Sequence, residues 1–249
     1  MSLHIALVQL EHILSLRTLF LHETNAQIRY HACHERGWSD SYLVSFHGHK
    51  IGYGSVKGAA SLEDRDTVFE FYLLPPFRHL SSVAFQQLLA VAKARFVECQ
   101  SNEPFLTGLL YQTCQQIRAD VCLFGDRSTT FFQKEGVVFR KRQEADIVFE
   151  HTREPVGEYV LESNGEIVAS GGFALHYNMP FADLYMEVKA THQGKGLGSL
   201  LVQELKRACY LEGRVPAARC SIDNAASRAT LQKAGLTIVG YMLQGSVKQ

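Results

Sequence analysis

Tyr185 to Ser199, YMEVKATHQGKGLGS, joins a strand to a helix through a glycine-rich turn, and the reading of this stretch decides the fold. Just upstream and into it, Leu184, Met186 and Val188 alternate with Asp183, Tyr185 and Glu187. This period of two puts apolar groups on one face of a pleated strand and polar groups on the other. From Leu197 the period changes. Leu197, Leu200, Leu201, Leu205 and Ala208 form one apolar helical stripe, with Gln203, Glu204, Lys206 and Arg207 between them. Strand and stripe are joined by Gln193, Gly194, Lys195, Gly196, Leu197 and Gly198. Glycines leave the backbone N–H groups uncovered at the positive end of the new helix, where an anion is favoured.

Spacing narrows the choice of anion. A P-loop needs four residues between its first glycine and a Gly-Lys-Ser/Thr, but Gly196 is followed by Leu197. A dinucleotide fingerprint needs GxGxxG and an acidic residue closing a second strand about 20 residues on. Gly194, Gly196 and Gly198 give GxGxG instead, and Glu212 closes a helix. A tight turn that binds nothing stands as the plain alternative.

The stretch resembles the GNAT superfamily of acetyl-CoA-dependent acetyltransferases. The family pattern, a strand ending near Val and then Gln/Arg-x-x-Gly-x-Gly/Ala, is matched by Val188, Gln193, Gly196 and Gly198. Its second element, Asn-x-x-Ala/Ser opening a helix that runs into Lys-x-Gly-Phe, is matched by Asn224, Ser227, Lys233 and Gly235, with Leu236 in place of Phe. The distance between them, 224 − 193 = 31 residues, leaves room for a helix, a loop and a strand. The resemblance covers Glu158 to Tyr241. It implies that main-chain groups of Met186 and Val188 hold a pantetheine arm and that amides from Gln193 through Ser199 (Gly194, Lys195, Gly196, Leu197 and Gly198 between them) receive a diphosphate. Lys195 would add charge, Asn224 would orient the cofactor or the loop beneath it, and Ser227 would begin the supporting helix.

Length suits more than one minimal domain of that kind: the chain has 249 residues. Internal echoes point the same way. VFEFYLLPPFRHLSSVAFQQLLA aligns with DLYMEVKATHQGKGLGSLLVQEL when Arg78 is set under Gln193, an offset of 193 − 78 = 115. Phe131 to Phe139 echoes Leu231 to Val239 at 235 − 136 = 99, which places an extra element of the first copy within Glu98 to Asp120. The reading is therefore two GNAT-like halves of the α+β class, each a mixed, mostly antiparallel sheet flanked by helices. The charged run Lys141 to Asp146 divides them into 1–142 and 143–249. Under the first offset Gly196 faces Ser81 and Gly198 faces Val83; under the second, Asn224 faces Gly125. The first half has lost the anion cradle. Leu10, Leu14, Leu21 and Ile28 predict a helical pair in the first half, whereas the second has no room for one before its strand at Gly157 to Leu161. Strands are predicted at Val137 to Arg140 and Ile147 to Phe149, one of them a candidate to cross between halves.

Composition excludes several classes. Twenty-five basic and 25 acidic residues cancel, so no nucleic-acid or anionic-membrane footprint is visible. MSLHIALVQL lacks the basic region and apolar run of a signal peptide, and no apolar stretch approaches the roughly 18 residues of a membrane span; the expected location is cytoplasmic. Six cysteines are dispersed with no CxxC pair, which fits reduced, buried thiols. His31, Cys33 and His34 are read as packing and surface polarity, and no metal is expected.

Acetyl transfer needs a held thioester, a neutral amine and stabilisation of the carbonyl oxygen. An aliphatic amine with pKa ~10.4 is protonated at neutral pH, so a base is required. By the resemblance this is an acid on the strand before the turn. Asp183 is the first candidate and Glu187 the alternate, four residues apart on one face. The family's Tyr, general acid toward the thiolate, is replaced by Leu231; Tyr177, Tyr185, Tyr210 and Tyr241 are possible substitutes. His176 to Phe181, HYNMPF, reads as a substrate rim or a plain hairpin loop. The implied activity is N-acetylation of a primary amine of a small molecule, such as an amino acid or its derivative, by direct attack in a ternary complex, with the amine entering between the halves. The alternative is a non-catalytic acyl-CoA-binding or interaction protein. Oligomeric state is not readable.

Overall fold

The computed structural model describes residues 3–24, 27 and 30–248. They form two compact units, residues 1–120 with 240–249 and residues 121–239. Ile28 lies outside the described residues.

The first unit runs β1 (Leu3–Val8), α1 (Leu14–Thr24), α2 (Tyr30–Glu35), β2 (Ser39–Phe46), β3 (His49–Lys57), β4 (Thr67–Leu73), α3 (Ser81–Val91), β5 (Phe96–Gln100) and α4 (Pro104–Thr113). Its strands follow one another in the sheet, each antiparallel to the last except that β5 runs parallel to β4. The core is aliphatic and aromatic: Val44, Ile51, Val56 and Phe71 of the sheet meet Phe85 and Leu88 of α3 and Leu106 and Leu110 of α4. A buried polar cluster lies beside it. Glu70 on β4 is fully buried and accepts hydrogen bonds from Arg17 Nε and Nη2 (both 3.1 Å) and from the Tyr53 hydroxyl (2.9 Å), with His34 Nε2 at 3.0 Å. Burial alone would raise its carboxyl, yet the charges of Arg17 and His34 hold it at about 2. His34 of the HxCH segment is thereby an internal partner of a carboxylate, and Cys33, like the other five cysteines, is buried and in no disulfide.

The second unit takes in the latter part of β6 (Cys114–Asp126), then β7 (Val137–Lys141), β8 (Tyr159–Ser163), β9 (Glu166–Ala174), β10 (Phe181–Val188), α5 (Leu197–Leu211), β11 (Val215–Ser221), α6 (Ala225–Lys233) and the start of β12 (Leu236–Val247). Its strand order is β6-β11-β10-β9-β8-β7. Again one neighbouring pair, β10 and β11, is parallel and the rest are antiparallel. The rest of β12 completes the first unit, where Met242 to Ser246 pair antiparallel with Phe96 to Gln100 of β5.

Residues 142–158 contain neither helix nor strand, so Ile147 to Phe149 is not the predicted strand. The segment that joins the other unit is β12, not a strand between Val137 and Phe149. The second echo also fails. In the first unit β5 leads through α4 to β6 as β11 leads through α6 to β12, so the counterpart of Asn224, the N-cap of α6, is Glu103, the N-cap of α4. The offset there is 224 − 103 = 121, not 99, because residues 131–136 are loop leading into β7.

The predicted stripe of α5 is buried, and two residues assigned to its outer face are buried too, Gln203 and Lys206. The loop 127–134 explains both. Gln203 accepts from Phe132 N and donates to Phe132 O, while Lys206 donates to Ser128 O (2.7 Å) and Ala234 O (2.8 Å) and pairs with Asp126 at 2.6 Å. Removing one partner of such a pair leaves a charge without compensation in the interior. Asp126→Ala is expected to destabilise the protein by about 3 kcal/mol in urea denaturation, whereas exchange of the exposed Glu212 is expected to be neutral within about 0.5 kcal/mol.

Candidate functional site

The site begins where two strands part. β10 is in register with β11 only from Phe181 to Asp183, but stays paired with β9 through Val188. Leu184 to Val188 therefore turn one backbone edge toward a wedge rather than a neighbouring strand. An exposed strand edge is a row of donors and acceptors that an extended, amide-bearing ligand can match.

At the open end of the wedge the chain makes the glycine turn. Gly194 (φ +74°) and Gly196 (φ +79°) are left-handed, a conformation that costs other residues energy, and Gly196 is the N-cap of α5. A Cβ on Gly198 would sit 3.0 Å from Thr230 Cγ2 and 3.2 Å from Met186 Cε. Leu200 is the first residue of α5 seen to bond back, from its N–H to Gly196 O at 3.2 Å, as expected where first-turn amides lack intrahelical partners. Gln193 fixes the turn by donating from Nε2 to Val188 O at 3.1 Å.

Wedge and turn form one cleft of about 490 Å³. Met186, Val188, Gln193, Gly194 and Gly196 to Ser199 line it, joined by Asn224, Ser227, Thr230 and Lys233 from the α6 side and by Thr152 to Glu154. Asn224 Oδ1 accepts from Ser227 N at 3.0 Å, so the two residues of the second motif together start α6 at the cleft wall. Lys195 departs from its expected role: its ammonium donates to Thr191 O at 3.0 Å and it does not line the cleft. The basic side chains that do are Lys233, which belongs to the second motif, and Arg153 and His192, which no motif singled out.

Three carboxylates stand near the wedge in different states. Glu187 accepts from the N–H groups of Thr152 (3.0 Å), Arg153 (3.0 Å) and Glu154 (3.1 Å) and from the Thr152 hydroxyl (3.1 Å). Partial burial would raise its carboxyl, but the three amides outweigh this and hold it at about 2. Asp183 is buried where the strands part; its Oδ2 lies 3.2 Å from His176 Nε2 and accepts from Arg219 Nε at 3.4 Å. Neither His176 nor Asp183 lines the cleft. Glu154 does line it, with an exposed side chain that makes no ion pair or hydrogen bond among the described residues. Its carboxyl is raised, first by partial burial and then by the charge of Asp183.

Leu231 is buried in α6 and supplies no acid. Of the alternative tyrosines, Tyr210 donates to Asp126 and Tyr241 belongs to the first unit, while Tyr185 lies on the polar face of β10. The first unit has the same parting of strands, since β4 and β5 pair only at Thr67 and Val68. Its turn differs: Pro75 to Leu80 is a short 3-10 helix whose two prolines carry no N–H, and Leu80 and Ser81 are right-handed. Arg78 pairs with Glu23 and its guanidinium lies over Phe105 at 5.3 Å, filling this region with side chains.

An opened sheet edge leading to a bare helix N-terminus suits a ligand with amides at one end and phosphates at the other. Residues 124–236, all within the second unit, match the model of the Acetyltransferase (GNAT) family; this segment is a GNAT acetyltransferase domain, and the chain is an acyltransferase of that kind. Solved structures extend the likeness of fold to both units. An acetyltransferase from the GNAT family of Colwellia psychrerythraea superposes with a TM-score of 0.76 at 14% identity, covering 98% of this chain and 100% of that one. A tandem GNAT protein from the clavulanic acid biosynthesis pathway gives 0.63 at 10% identity, covering 100% and 99%. A GCN5-related N-acetyltransferase from Sphaerobacter thermophilus gives 0.51 at 14%, covering 84% and 81%. Comparison with curated proteins finds no match.

Two measurements check this geometry. Gly198→Val is expected to abolish acetyl-CoA binding in calorimetry while Val83→Gly adds no second site, so that wild type and Val83→Gly both bind one equivalent. Glu187 has a depressed carboxyl, so its contribution to stability is complete above about pH 4.5 and is lost as the pH falls toward about 2. Glu187→Gln should therefore cost stability at pH 7 and progressively less below pH 4.5, read as converging urea midpoints.

Proposed function

We propose that the second unit acetylates a primary amine of a small molecule with acetyl-CoA, by direct attack within a ternary complex. The observation that carries this is the continuity of the β10 edge with the uncovered turn at Gly194 to Ser199, in one cleft. The residues fit the cosubstrate: the turn holds a diphosphate only if it stays bare, and a Cβ at Gly198 would crowd the cleft wall. When bound, acetyl-CoA supplies an acetyl group activated as a thioester. Main-chain groups of Met186 and Val188 align the pantetheine arm, with one lone pair of Val188 O already taken by Gln193. Amides from Gln193 to Ser199 receive the diphosphate, and Arg153 and Lys233 add positive charge. Asn224 and Ser227 shape the opposite wall. Asp183 holds His176 and Arg219 at the closed end of the wedge, and Glu187 fixes residues 152–154 as the third wall.

The buried Leu231 favours one other reading, an acyl-CoA-binding protein without turnover. Thiol release from acetyl-CoA across a panel of primary amines separates the two. The expected result is amine-dependent thiol release matched by N-acetyl product in mass spectrometry. Binding of one acetyl-CoA per chain with no product from any amine would establish the non-catalytic reading.

A further inference from the structure

We infer that Glu154 is the general base that takes the proton from the substrate ammonium. This rests on the acetyl-transfer reading and names a residue outside both family motifs. Three carboxylates are close enough to the wedge to be considered, and their partners separate them. The oxygens of Glu187 receive three main-chain amides and a hydroxyl, so protonating it would release the wall it holds. Asp183 is buried away from the cleft surface and is engaged by His176 and Arg219. Glu154 alone combines a place on the cleft wall with a carboxylate free of protein partners among the described residues.

Its placement is not that of a loose surface residue. The amide of Glu154 donates to Glu187 Oε2 at 3.1 Å, and its carbonyl oxygen lies 3.0 Å from His151 Nδ1. The main chain at Glu154 is thus tied to the strand whose free edge forms the wedge, while the side chain remains available. The charged and titratable groups around it are Asp183, Glu187, Arg219, His151 and Tyr185. Burial and the two acids favour its protonated form, Arg219 and His151 oppose them, and the carboxyl comes out above its usual range, closer to what proton transfer at neutral pH requires.

In the step, Glu154 accepts one proton from R–NH3+, leaving a neutral amine. The nitrogen lone pair forms the C–N bond to the acetyl carbon as the C–S bond breaks. The second nitrogen proton leaves with the thiolate as free thiol, and Glu154 returns its proton to solvent. Atoms and charge balance with no other reactant.

The test uses the full chain and an amine found active in the panel. Glu154→Gln is expected to lower kcat by about 100-fold and to abolish the acidic limb of the kcat/KM profile, with acetyl-CoA affinity by calorimetry unchanged. Glu154→Ala should regain activity in added formate, a rescue that loss of packing would not show. An acidic limb that survives in Glu154→Gln, or one removed instead by Asp183→Asn, overturns the assignment while leaving acetyl transfer standing. A wild type that binds acetyl-CoA and acetylates no amine overturns the parent reading instead.

Discussion

Everything at the site follows from the short register between β10 and β11. Parallel pairing stops after Asp183, so the second unit keeps a row of main-chain donors and acceptors at Leu184 to Val188 facing a gap. Unpaired backbone within a protein demands a partner. Here the gap leads without interruption to amides at the head of α5, and the two together suit a ligand with peptide-like bonds at one end and phosphates at the other. The first unit repeats the parted strands, but there a short 3-10 helix runs into right-handed Leu80 and Ser81, with no glycine between Pro75 and Val83 to leave the head of α3 bare.

The third wall is made in an economical way. In the first unit α1 and α2 lie between β1 and β2, but in the second the corresponding stretch, 142–158, has no regular structure. A segment without its own hydrogen-bond ladder needs an outside anchor, and Glu187 provides one by gathering three consecutive amides. On the strand that presents Asp183, Tyr185 and Glu187, Glu187 accepts from the amides of residues 152–154 and Asp183 lies against His176 and Arg219.

Much of this was legible in the sequence because the signals were local. The change of period at the turn, the glycines at Gly194, Gly196 and Gly198, and the Asn224 cap with Ser227 each act within a few residues, and each stands where the pattern placed it. What the sequence hid depends on contacts distant along the chain. Lys206 and Gln203 looked like solvent-facing residues because the loop that covers them lies some seventy residues upstream. Lys195 looked like a phosphate ligand, but its flexible side chain found a carbonyl within its own turn. The echo at Phe131 to Phe139 misled since a short aromatic and Lys-x-Gly pattern recurs easily, whereas the order of elements does not. Glu154 carries no motif; only its tie to Glu187 brings it to the cleft.

Residues 240–249 fold with residues 1–120, and this bears on how the molecule can be made. No single cut of the chain yields both units whole, and during synthesis β5 waits for its last neighbour until translation has passed through the entire acetyltransferase domain. The amino-terminal unit is thus the earlier to emerge and the later to finish, and a permuted gene that sets the codons of residues 240–249 before those of residues 1–120 would let that unit finish first.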